Sequence, residues 1–205
     1  MGILSRIFKK KQPKQYTQEE LQYHYDTLWI TSTINPEIRG SIYPSAKKLF
    51  LSKARYELVA DIVKCPWWLV AVIHNMECSG DFNLGLHCGQ RWDMVTTLAP
   101  KGCGPFKSWE DAAVDALMMK SGTMPRGKPD MWMWLYFLEK YNGLGYLQWH
   151  SEVNSPYLWS GTCAYSKGKY GSDSKWNPDL VSKQIGCVPL IRMFIELDRL
   201  NTAPV

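Results

Sequence analysis

The order of apolar and polar positions predicts a chain that is mostly helix. Thr17-Gln18-Glu19-Glu20 is a capping box, in which the Thr17 hydroxyl holds the Glu20 amide and Glu20 reaches back. A helix is expected from there to about Thr31. Residues 34–44 read as a loop, with Pro36 and Gly40 as breakers. Over residues 45–64, Leu49, Leu51, Ala54, Leu58 and Ile62 recur at helical spacing and predict a second helix with that stripe in the core. Pro66 suits the first turn of a third helix, where its missing N–H costs nothing. That helix, residues 66–76, is apolar almost all round (Trp67, Trp68, Leu69, Val70, Val72, Ile73) and is expected inside the fold.

Residues 79–106 have little helical period and predict a loop with a short hairpin around residues 94–98. Ser108 caps a helix over residues 109–120, whose Glu110 and Asp111 suit its positive end. Residues 121–129 are a polar loop. Asp130 opens a helix through Tyr141 that Asn142-Gly143 ends. Residues 143–176 are aromatic and rich in Gly and Ser. Residues 178–185 and 189–200 close the chain as two helices. The pattern is mainly α with little sheet and no repeats.

Charge changes this picture at one end only. The 205 residues carry 24 Lys+Arg and 19 Asp+Glu, a formal net charge of +5. Arg6, Lys9, Lys10, Lys11 and Lys14 stand before the first acid, and without those five the chain holds 19 bases against 19 acids. Residues 1–16 are expected to be a basic flexible arm, and residues 17–205 a single domain. A neutral body does not suit a protein that tracks nucleic-acid phosphates, and none is expected as a partner. Residues 1–14 suit weak contact with an anionic membrane or wall polymer.

No apolar run approaches the roughly 20 residues of a membrane span, and the charges follow the short apolar stretch 3–8 rather than precede a longer one, so no secretory signal is expected. Cys65, Cys78, Cys88, Cys103, Cys163 and Cys187 form no CxxC, and reduced thiols are expected. Cys78, His87, Cys88 and Cys103 have a metal-binding chemistry but spacings that fit no zinc pattern, so neither a metal nor a cofactor is expected.

The chemistry concentrates at Glu77. On a helical wheel Trp67, Val70, His74 and Glu77 share one face. A carboxyl held against apolar groups keeps its proton near neutral pH, the state a general acid needs. A glutamate emerging into water at the helix end fits the position equally. His74, one turn earlier, reads as a packed histidine before a proton shuttle.

The segment 68–82 (WLVAVIHNMECSGDF) resembles the H-x-x-E-[ST]-x-x-x-F segment of lysozyme family proteins of phages and bacteria. Phe106-Lys107-Ser108-Trp109-Glu110-Asp111-Ala112-Ala113 is similar to that family's helix start. Tyr141-Asn142-Gly143-Leu144-Gly145-Tyr146, Ser155-Pro156-Tyr157-Leu158-Trp159-Ser160 and Gly168-Lys169-Tyr170 resemble its YNGxGY, SPYLW and GKY blocks. These blocks keep the family's order over roughly residues 66–187, and the ordered co-occurrence is more specific than any one block.

The resemblance implies a lysozyme-like α+β fold, mainly α, with a small β-hairpin and a groove between helical lobes. It also implies cleavage of peptidoglycan glycan strands by a hydrolase or lytic transglycosylase, with Glu77 as the acid. Two positions depart from the pattern: Cys78 follows the acid in place of Ser or Thr, and Cys88-Gly89-Gln90-Arg91 replaces N-G-D-P. Asp93 and Thr96 are the candidates to complete the catalytic set, since inverting hydrolases hold their second carboxyl about 6.5–9.5 Å from the first; Asp81 is a weaker one. A transglycosylase needs a single acid/base. His74, Tyr141, Asn142, Tyr146, Tyr157, Trp159, Tyr165 and Tyr170 are the candidate substrate residues, because aromatic faces stack on sugars and phenols or amides bond their hydroxyls. Tyr141 or Tyr146 would support the acid. Such a protein is expected to be a monomeric phage lysin, held in the host cytoplasm until lysis or carried on a virion. A noncatalytic glycan-binding module with the same groove is the alternative.

Overall fold

The structure is a computed structural model that describes residues 12–171 and 175–202. Among the described residues helix dominates: α1 (Gln18–Thr31), α2 (Pro36–Leu51), α3 (Lys53–Val63), α4 (Trp67–Cys78), α5 (Trp109–Met118), α6 (Met131–Asn142), α7 (Gly145–Trp149), α8 (Pro156–Trp159) and α9 (Cys187–Thr202). Two short strands, β1 (Lys169–Tyr170) and β2 (Trp176–Asn177), pair antiparallel with Lys169 opposite Asn177. The mainly α expectation holds. No described helix is long and apolar enough to cross a membrane.

α4 is the centre. Leu69, Val70, Ala71, Val72, Ile73 and His74 are all fully buried, as an all-round apolar helix requires. Each aliphatic side chain so buried contributes roughly 1.5–3 kcal/mol relative to exposure. α3 and α9 pack against α4, α2 against α9, α1 against α6, and α8 against both α6 and α9. The start of α1 shows both arms of its capping box: Glu20 N donates to Thr17 Oγ1 at 3.2 Å, and Thr17 N donates to Glu20 Oε2 at 2.8 Å.

Four expectations are corrected. Residues 36–44 are helix rather than loop. Pro36 sits at the start of α2, where its fixed φ suits a first turn, and Gly40 inside a helix costs only about 1 kcal/mol. The long second helix is broken at Ser52 (φ −94°, ψ 10°), and the break turns α3 to a new phase. The buried face of α3 is therefore Tyr56, Val59, Ala60 and Val63; of the expected stripe Leu49 is in the core, but Leu51, Leu58 and Ile62 face out, at 76%, 60% and 62% exposed. Residues 94–98 form no strand; the nearest pairing is a single bridge between Leu84 and Arg91. Residues 178–185 are not helical, and α9 begins only after Gly186, whose N–H donates to Ser160 O at 2.8 Å. A Cβ on Gly186 would lie 2.5 Å from Leu158 O, so backbone meets backbone there.

Residues 1–11 of the basic arm lie outside the described residues. Its last part is anchored: Lys14 N donates to Gln148 O at 3.0 Å and the Tyr16 hydroxyl to Leu147 O at 3.1 Å, both on α7.

Candidate functional site

Glu77 occupies the last turn of α4. Ser79 closes that helix in the left-handed region (φ 52°) and donates to Asn75 O, while Gly80 N donates to His74 O. This termination brings Glu77 out at the surface between buried Met76 and Cys78. The buried Tyr157, on α8, donates its hydroxyl to Glu77 Oε1 at 3.1 Å. Crowding by protein raises the Glu77 pKa above the ordinary carboxyl value; the Tyr157 bond and the Lys120 ammonium pull the other way, and crowding wins. The residue keeps open surface, so water tempers the shift. Tyr141 stands in the same field: burial and the Glu77 charge push its hydroxyl pKa up. Lys120 Nζ lies 5.7 Å from the Tyr141 ring.

Beside this pair opens a cleft of about 280 Å³, whose walls include Asn142, Tyr146, Tyr157, Lys169, Tyr170 and Gln184. Gly143 (φ 105°) stops α6 and leaves Asn142 exposed at the rim. The Tyr146 hydroxyl accepts from Tyr170 N at 3.3 Å. The rings of Tyr146, Tyr170 and Trp176 meet edge to face at 5.5–5.8 Å, and Trp176 stacks flat on His150 at 3.6 Å. Gln184 donates to Met76 O at 2.9 Å, tying the cleft wall to the residue before Glu77.

Four of the eight residues read as substrate-binding thus share one cleft: Asn142, Tyr146, Tyr157 and Tyr170. Tyr141 stands near the acid. The other three are placed elsewhere. Trp159 is fully buried and presents no surface. Tyr165 is buried, donates to Gly168 O at 3.3 Å, accepts from Ser182 N at 3.1 Å, and borders a neighbouring pocket that shares Ser182 and Gln184 with the cleft. His74 has no exposure; its Nδ1 meets the Tyr56 hydroxyl at 2.9 Å, and its ring packs on Phe82 and Trp109. Burial pushes its pKa down to about 4, so it stays neutral.

Asp93 and Thr96 are both engaged in the 79–106 loop. Arg91 Nε donates to Asp93 Oδ1 at 2.9 Å and Nη2 to Oδ2 at 2.5 Å, and this fork holds the exposed Asp93 carboxyl below its usual pKa. The Thr96 hydroxyl donates to Pro100 O at 2.6 Å and accepts from Cys103 N at 3.0 Å. Asp81 accepts from Asn83 N and Nδ2. None of the three lines the cleft.

Sequence reasoning missed Lys120, Lys169 and Gln184. A lone surface lysine or glutamine carries no signal of its own, even inside the Gly168-Lys169-Tyr170 block. A more apolar pocket of about 340 Å³, bordered by α1 and α6, shares no wall residue with the cleft. Compared with protein-family models, curated proteins and solved structures, the chain matches none.

Proposed function

We propose that the chain cleaves the glycan strand of bacterial peptidoglycan, at the β-1,4 bond between N-acetylmuramic acid and N-acetylglucosamine, with Glu77 as general acid. The observation that carries this reading is the Glu77–Tyr157 pair beside a tyrosine-walled cleft. A carboxyl with a raised pKa keeps the proton that the leaving oxygen needs. Tyr157 fixes the carboxyl's orientation, and Tyr146, Tyr170 and Asn142 offer ring faces and hydrogen-bonding groups to sugars.

The fork of Arg91 on Asp93 favours a route with a single acid/base. Glu77 protonates the glycosidic oxygen as that bond breaks. The resulting carboxylate then takes the proton from the sugar's own C6 hydroxyl as its oxygen closes on C1. The product is a 1,6-anhydro end, one water lighter than a hydrolytic reducing end. Mass spectrometry of fragments released from purified cell walls tests the route: anhydro ends are expected, and reducing ends alone would assign hydrolysis. Binding to cell walls with no fragments released would replace the enzyme by a glycan-binding module. The lysozyme-like groove, the phage-lysin setting and a membrane or wall contact through residues 1–14 belong to the same proposal.

A further inference from the structure

The loop between α4 and α5 and the helix that follows it bring together three metal-binding donors that the sequence keeps far apart. His87, Cys103 and Asp115 present a ring nitrogen, a thiol sulfur and a carboxylate oxygen that all lie within 4.8 Å of one another. The His87 side chain is only 2% exposed, its ring stacks face to face on Phe106 at 5.3 Å, and its Nε2 sits 2.8 Å from Asp115 Oδ2. Cys103 is held on both sides of its backbone: its N–H donates to Thr96 Oγ1 at 3.0 Å, and its carbonyl accepts from Thr96 N at 2.9 Å. Asp115 projects from the regular helix α5. Little ordering remains for a bound ion to impose.

We propose that His87, Cys103 and Asp115 form a Zn²⁺ site that clasps the 79–106 loop to α5. One thiolate, one imidazole and one carboxylate are the donor types Zn²⁺ takes, whereas Mg²⁺ and Ca²⁺ want oxygen alone. With metal–ligand bonds of about 2.0–2.3 Å, tetrahedral donors stand roughly 3.3–3.8 Å apart. The three groups therefore need to close by only about 1 Å from their present limit, while the His87–Asp115 contact opens slightly. Asp115 is 46% exposed at its side chain, which leaves the fourth position on the solvent side for water. Binding converts the Cys103 thiol to thiolate and releases its proton to solvent.

The nearby cysteines are engaged differently. Cys78 Sγ contacts Gly85 O at 3.4 Å, and Cys88 Sγ contacts Gln90 Oε1 at 3.6 Å. The third donor is thus an aspartate from the next helix, invisible to any cysteine spacing.

The test uses the full chain, stripped with a chelator and titrated with Zn²⁺ alone against a chromophoric competitor. One equivalent should bind. Co²⁺ in its place should show thiolate-to-metal charge-transfer absorption and tetrahedral d–d bands. Cys103→Ser should remove the charge-transfer band, and Asp115→Asn should weaken Zn²⁺ binding by about 10-fold or more. Cys163→Ser, at an exposed thiol, should change neither. Circular dichroism checks that the variants fold, and the wild-type cobalt spectrum needs no variant. No bound Zn²⁺, a cobalt spectrum lacking a thiolate band, or a band that survives Cys103→Ser would each overturn the site.

Discussion

Two glutamates near the ends of two helices meet the same partner chemistry and opposite surroundings. Glu77, on α4, accepts from the Tyr157 hydroxyl at 3.1 Å and keeps open surface beside the cleft. Glu139, on α6, accepts from the Tyr25 hydroxyl at 2.6 Å and is 2% exposed inside the core. Burial raises both pKa values, that of Glu139 to about 7. A tyrosine-bonded, proton-retaining glutamate is therefore not by itself a site. Access separates them: Glu77 is open to solvent, and Glu139 is closed inside the core.

The comparison breaks most sharply at the first carboxyl. Glu77→Gln keeps the shape and removes the transferable proton; glycan cleavage should fall by roughly 10²–10⁴-fold with the melting temperature nearly unchanged. Near-normal turnover would sink the proposed role. Glu139→Gln should do the reverse and alter stability alone. The folded-state pKa of Glu139 lies above its unfolded value of 4.5, so the stability it contributes is complete below pH 4.5. Stability is lost progressively as pH rises from there to about 7, and the loss levels off at roughly 3 kcal/mol above that point. Denaturant midpoints followed across this range should slope downward in the wild type and flatten in the variant.

Smaller effects sharpen the Glu77 half. Tyr157→Phe removes a bond that lowers the Glu77 pKa, so the alkaline limb of the pH–rate profile should move up. Turnover should fall roughly 10–10²-fold, the loss of one hydrogen bond to a charged group being about 1.5–3 kcal/mol. Lys120→Met removes the more distant cation and should move the same limb up by less, with little change at the plateau. A downward movement in either variant would contradict the electrostatics described for Glu77.

The elements that could be read from the sequence are those set by local chemistry. The Thr17 capping box, the Ser108 cap (accepting from Asp111 N at 3.1 Å) and the apolar α4 all stand where the pattern put them. Local rules misjudged the 34–64 region because Pro36 opens a helix there and one residue, Ser52, rotates the next helix against its neighbours. The 79–106 loop defeated the pattern for another reason. Its order comes from side chains bonding distant backbone, as when Gln90 Oε1 accepts from Thr97 N and Leu98 N, and periodicity carries no trace of such bonds. Glu77 as a candidate acid, and the set of aromatic candidates from which the cleft draws half, are legible in the sequence. Which rings would enter the cleft is not, because Trp159 and Tyr157 sit two residues apart on α8 and only packing decides between core and wall.

Gly186 gives that packing a mechanical meaning. The chain presses on the backbone of Leu158 and Ser160 with no room for a methyl group, and Leu158 is the neighbour of Tyr157. The hydroxyl that steadies Glu77 thus hangs from a hinge pin whose tolerance is one hydrogen atom. Any side chain at 186 would lever α8 outward and loosen the acid without touching it.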